Sequence, residues 1–239
     1  MFRAAVKGSH CASRWGFQSV GRVSQASVQG FSCAERGSSD LCGIKLVNGA
    51  LDVYGPTEIK TQEKAHERYA ALAECFSNQY RSVVIATHNV ALLKKSLGYF
   101  ESNNVPGVAM LHPAAEMLSK SDLLGVEKYA YMVVTQNGKK YAERRVDEMS
   151  DPKNQSALLD RMLECSDSST VAVASLAKVR HSLVASFPNV APVILDPLFS
   201  TAPAKRLFQQ TFTHSVDTVV PCMHQYVEKG ITPWVSLTT

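Results

Sequence analysis

With 239 residues, 45% of them hydrophobic and 19% charged, the chain has an ordinary globular balance and room for one large α/β unit or two small ones. The net charge of +4 is modest, and much of it lies in Arg3, Lys7, Arg14 and Arg22, ahead of the first acid at Glu35, so the near-neutral remainder carries no nucleic-acid footprint. No apolar run approaches the roughly 18 residues of a membrane span. The six cysteines (Cys11, Cys33, Cys42, Cys75, Cys165 and Cys222) show no CxxC or other close metal-ligand spacing, so reduced thiols are expected, with no metal and no cofactor.

Residues 1–40 are rich in Ser, Gly and Ala, bear spaced arginines and lack the compact apolar core of a secretory signal. That composition predicts a mitochondrial targeting segment, or else a disordered extension, and hence a location in the matrix or on the matrix face of the inner membrane. A first strand is expected around Ile44–Val47, with turns at Asn48-Gly49 and Tyr54–Thr57. Thr61–Tyr80 reads as a helix that Thr61 can cap, with Glu63 and Glu67 where the dipole favours acids and Ala65, Tyr69, Leu72 and Phe76 in one apolar stripe.

Ser82–Leu118 is the most informative stretch. Val83–Ala86 is a short apolar run. Thr87-His88-Asn89 suits a helix start, and an amphipathic segment follows through Leu92, Leu93, Ser96, Leu97 and Phe100. After a turn at 101–104, Val105–Leu111 is apolar again and His112-Pro113 closes it. Strand, corner, helix, turn and strand make a parallel βαβ unit, whose ligands gather at the carboxyl ends of its strands. Tyr129–Thr135 is a further strand. Lys139, Lys140, Arg144 and Arg145 form a basic cluster on a helix, expected as a solvated face, and Asn154–Cys165 is helical with Ala157, Leu158, Met162 and Leu163 on one side.

Ser169–Ala174 reads as a strand ended by Ser175. Leu176–Phe187 reads as a helix with Leu176, Val179, Leu183, Val184 and Phe187 inward, Ala191–Leu195 as a strand closed by Asp196-Pro197, and Thr201–Phe212 as a helix. The tail from His214 holds an amphipathic piece, Val219–Val227, and an irregular end with Trp234. Residues 83–111 and 170–197 thus share one pattern. The expected fold is α/β with two similar lobes, each a parallel sheet flanked by helices: 1–40 an extension, 41–125 the first lobe, with the tail able to pack back on it, 126–212 the second lobe, and 213–239 the tail.

VVIATHNVAL…NNVPGVAMLHPAAEM resembles the aspartate/glutamate racemase segment that reads strand, Cys-Asn-Thr, helix, Ile-Pro-Val-Ile, strand, Glu-Pro-Ala. VAVASLAKV…APVILDPL is similar to that family's second half, with Gly-Cys-Thr after one strand and Asp-Pro after the next. The resemblance covers about residues 42–212. It implies two α/β lobes, no cofactor, and chemistry by two cysteines on opposite sides of the substrate Cα, one removing the proton and one returning it. Here Ala86 stands at the first cysteine position, followed by Thr87-His88, and Ser175 at the second. Ala86 has no proton to exchange, and a serine hydroxyl needs an activating partner, so two-base racemisation is not expected.

The resulting expectation is a racemase-like pseudoenzyme whose relic pocket holds Ala86, Thr87, His88 and Ser175 without catalytic residues. It would serve as an accessory subunit of a mitochondrial assembly (a respiratory complex, ATP synthase or mitoribosome), with other protein subunits as partners. Two alternatives stand beside it. One is a cofactor-independent enzyme of the superfamily, its cleft lined by His88, His112, Ser175 and Asp196. The other is a small-carboxylate binding module using Thr87 and Asn89 at a helix N-terminus, with His112 and Asp196. The resemblance also implies a homodimer as one arrangement.

Overall fold

The computed structural model describes residues 15–16, 21–23, 26–32, 43–48, 61–79, 82–101, 104–123, 125–136, 138–154 and 156–238. The expected turn at 54–57, and Cys11, Cys33 and Cys42, lie outside them. Within the N-terminal extension, three short strands are described: β1 (Trp15–Gly16), β2 (Gly21–Val23) and β3 (Ala26–Ser32). They join β4 (Gly43–Asn48), β5 (Val83–Ala86), β6 (Gly107–Leu111), β7 (Lys128–Thr135) and β8 (Thr232–Thr238) in a single sheet of order β1-β3-β4-β5-β6-β7-β8, with β2 on β3. β3 runs antiparallel to β4, and β4 to β8 are all parallel.

The parallel strands neighbour one another in chain order. Right-handed crossovers that always step the same way place their helices on one face. α1 (Gln62–Gln79) links β4 to β5, α2 (Val90–Leu97) links β5 to β6, and α8 (Val216–Glu228) leads into β8. They cover an aliphatic outer face: Leu46, Val83, Ile85, Val108, Met110, Ala130 and Met132 pack with Tyr69 and Ala73 of α1, Leu92 and Leu93 of α2, and Val219 and Tyr226 of α8.

The other face is covered by curvature. Neighbouring strands lie about 4.8 Å apart, so β4 and β8 would be roughly 19 Å apart in a flat sheet. Yet Lys45 Nζ, on β4, lies 3.5 Å from the centroid of the Tyr131 ring on β7 and 4.6 Å from that of Trp234 on β8. The sheet therefore curls with Lys45 on its concave side, and β1 returns beside β8. Val84, Ala109, Tyr129 and Trp234 fill that hollow. Gly107 permits it: an added Cβ would come within 2.6 Å of the Tyr129 ring.

Between β7 and α8 the chain makes a helical excursion: α3 (Lys139–Ser150), α4 (Ala157–Leu163), α5 (Ser168–Ser186), α6 (Ala191–Phe199) and α7 (Ala202–Phe212). Its own core joins Leu111 and Ala114 to Val146, Met149, Leu159, Met162, Val173, Ala177, Phe208 and Phe212.

The first βαβ unit forms as the sequence pattern predicts. The second does not: residues 169–174 lie within α5 and residues 191–195 within α6, so the described strands make one sheet instead of a sheet in each of two lobes. Asp167 caps α5 by accepting from Thr170 N–H at 2.6 Å, and Thr170, Val173, Ala174 and Ala177 turn inward at helical spacing. The stripe expected inward, Leu176, Val179, Leu183 and Phe187, is exposed instead, as are Val190, Val193, Ile194 and Leu198 on and before α6. The tail's expected irregular end is strand β8, where Trp234 is buried.

Candidate functional site at the carboxyl ends of the parallel strands

β5 ends in Ala86 and β6 in Leu111, so Thr87-His88-Asn89 and His112 share one edge of the sheet. Most polar groups there serve the fold. Asn89 Oδ1 caps α2 by accepting from Leu92 N–H (2.9 Å). The buried Thr87 hydroxyl accepts from Asn89 N–H (3.2 Å) and from Asn48 Nδ2 (3.4 Å). Leu111 N–H donates to His88 Nε2 (3.0 Å), which leaves the ring proton on Nδ1. Burial, followed by the positive charges of Arg145, Arg161 and Lys45, holds the His88 pKa down to about 3, so the ring is neutral.

Of those three charges, sequence reasoning passed over Lys45 and Arg161 and placed Arg145 on a solvated face. Lys45 is 3% exposed, and among the described residues its contacts are the Tyr131 and Trp234 rings, with no carboxylate partner. Burial lowers its pKa from 10.5 to about 7. Lys139, Lys140 and Arg144 of the basic cluster are exposed, as expected of a solvated face. Arg145 turns inward: it donates to Glu148, lies 5.2 Å from the Tyr141 ring centroid, and keeps a buried Nε without a hydrogen-bond partner. The signal for Lys45 was a lysine inside the apolar run Ile44–Val47; for Arg145, it was a helix position in register with buried Ala142 and Met149.

A second grouping lies at the same edge, under α8. His112 Nδ1 is 2.8 Å from the Tyr226 hydroxyl and 3.9 Å from Cys222 Sγ, and the His112 and His214 ring centroids are 4.4 Å apart. His214 sits in the crossing from α7 to α8, held to β7 by its N–H donating to Val133 O (2.9 Å). One donor atom each of His112, His214 and Cys222 lie within 4.8 Å of one another, a convergence of side chains that sequence spacing did not show.

Ser175 and Asp196 stand elsewhere. Ser175 is exposed on α5 and Asp196 is exposed on α6, where it pairs with Arg180 (3.2 Å), which also pairs with Asp147 (3.5 Å). These two pairs border a cleft of about 590 Å³ between α3, α5, α6 and α7. Neither residue ends a strand, so the relic pocket expected from Ala86, Thr87, His88 and Ser175 is not assembled as such. Comparison of the chain with family models, with curated proteins and with solved structures gave no match.

Proposed function

We propose that the chain binds a small carboxylate or phosphate where the concave face meets the carboxyl ends of β4 to β7, with Lys45 as the neutralising ammonium and Arg145 and Arg161 as flanking cations. The observation that carries this reading is a buried lysine set against two aromatic rings, with no carboxylate partner among the described residues, near the neutral His88. Arg145 already pairs with Glu148 and Arg161 with Glu164, so Lys45 is the one of the three cations without a carboxylate among the described residues, and a cation held away from water is unfavourable until an anion joins it. Kinship with the aspartate/glutamate racemases belongs to the same proposal and is supported by the β5–α2–β6 unit.

Calorimetric titration of the full chain with L-aspartate, L-malate and inorganic phosphate tests it. At least one should bind, more tightly at mildly acid than at mildly alkaline pH, because an anion recruits the protonated lysine. Lys45→Met should abolish binding, and Lys45→Arg should retain it without the pH dependence. Silence from all three probes sinks the proposal. Without ligand, the folded-state pKa of Lys45 lies below its unfolded value. Between about 7 and 10.5 the unfolded chain holds the extra proton, so stability rises with pH across that window. Lys45→Met should flatten the rise.

A second reading, the accessory subunit, is favoured by the exposed apolar stripes of α5 and α6, with Phe187 at 59%, Val193 at 74% and Ile194 at 66% exposure. Its mitochondrial setting rests on the composition of residues 1–40 alone. Co-migration of the chain with a larger assembly at fixed stoichiometry, when isolated under mild conditions, is the expected result; recovery only as a free chain sinks this reading.

A further inference from the structure

We propose that His112, His214 and Cys222 form a binding site for a divalent metal ion of the zinc class, with the fourth coordination position left to water. The donors come from three places: the residue after β6, the crossing between α7 and α8, and the middle of α8. Ligands around a tetrahedral zinc lie about 2.0–2.3 Å from the ion, hence roughly 3.5 Å from one another. Cys222 Sγ and His112 Nδ1 are already 3.9 Å apart, and all three donors fit within 4.8 Å, about 1.3 Å or less beyond that spacing. One sulfur and two imidazoles suit zinc and its neighbours and exclude the oxygen-seeking calcium and magnesium.

A second observation points to a missing ligand. His214 is 8% exposed, and among the described residues its buried Nε2 has no hydrogen-bond partner. A histidine kept only for packing would normally have both ring nitrogens satisfied. Coordination replaces the Cys222 proton: thiol and M²⁺ give the metal thiolate and one H⁺, released to solvent. Tyr226, hydrogen-bonded to His112, stands ready to orient a metal-bound water or to yield its place on Nδ1. His112 and Cys222 are only half-buried, which leaves an entry path. Binding would tie α8 to the end of β6.

Titration of the full chain with Co²⁺ is the test. The expected result is a thiolate-to-cobalt charge-transfer band with d–d bands of tetrahedral strength, saturating at one ion per chain and displaced by Zn²⁺. Cys222→Ser should remove the charge-transfer band, and His214→Gln should weaken binding at least about tenfold. Cys75→Ser, on an exposed cysteine of α1, should change nothing. A second measurement needs no variant: Zn²⁺ should slow alkylation of Cys222 relative to Cys75, read by mass spectrometry of the unmutated chain. The absence of a charge-transfer band, its persistence in Cys222→Ser, or Cys222 alkylation indifferent to Zn²⁺ each overturns the proposal.

Discussion

Residues 83–111 and residues 170–197 carry nearly the same written pattern and fold differently. In the first, Val83–Ala86 and Gly107–Leu111 are adjacent parallel strands with α2 between them. In the second, the β-branched run at 169–174 and the Pro-Val-Ile run at 191–195 are both helical. What separates them is local chemistry around the apolar letters. Asp167 stands ahead of the second run as a helix cap, whereas Asn89 stands after the first run and caps the next element. Pro192 occupies the first turn of α6, where a missing N–H costs nothing, while Pro106 lies just before β6 and outside its ladder. A short apolar run does not declare its period; the cap and the proline position do.

The largest expected effect tests the first region. Ile85 is fully buried in β5 beneath α1 and α2, so Ile85→Ala should cost about 2–5 kcal/mol in chemical denaturation. A cost near zero would mean that 83–86 is not a central strand.

The next contrast separates helix from strand within the second region. A strand would put Val171 and Val173 on the same face. The helix buries Val173 completely and leaves Val171 half-exposed. Val173→Ala should therefore cost about 1.5 kcal/mol at roughly 0.8 kcal/mol per methyl-sized group. Val171→Ala should be near neutral, because alanine also favours the helix. Equal losses at the two sites would restore the strand.

The caps come third. Asn89→Ala and Asp167→Ala should each cost about 1 kcal/mol, measured as shifts in denaturation midpoint. Only Asp167 adds a pH signature. Partial burial pushes its carboxyl up, but hydrogen bonds from Thr170 and Ser169 outweigh this and hold it below the usual carboxylate range. Its stabilising contribution is present at neutral pH and is lost as pH falls through that lowered pKa. Asp167→Asn should keep most of the cap and lose that acid sensitivity.

These contrasts also mark what was legible in the sequence. α1, β5, α2, β6, β7 and α7 follow from period, cap and turn residues, and β4 from its apolar run. The chain-wide arrangement was not legible, because whether a β-branched run becomes strand or helix depends on which face finds a partner. Nor was the site. Nothing in the Ile44–Val47 run assigns a role to Lys45, whose meaning comes from rings on β7 and β8, far along the chain. His112 was marked as a strand end. His214 and Cys222 were not tied to it, since only the crossing from α7 to α8 brings the three together.

The smallest expected effect on stability carries the most functional weight. Val193 and Ile194 were expected in a strand, yet they are exposed on α6, as are Val179 of α5 and Phe187 just after it. Replacing both with serine should shift folding stability by no more than about 0.5 kcal/mol per site, as at other exposed positions. If the stripe is covered by another subunit, the doubly substituted chain should keep its denaturation midpoint and its Lys45-dependent ligand binding, yet run free of the larger assembly on a native gel. If it stays in that assembly, the α5–α6 stripe is not the contact, and the accessory-subunit reading loses the observation that supports it.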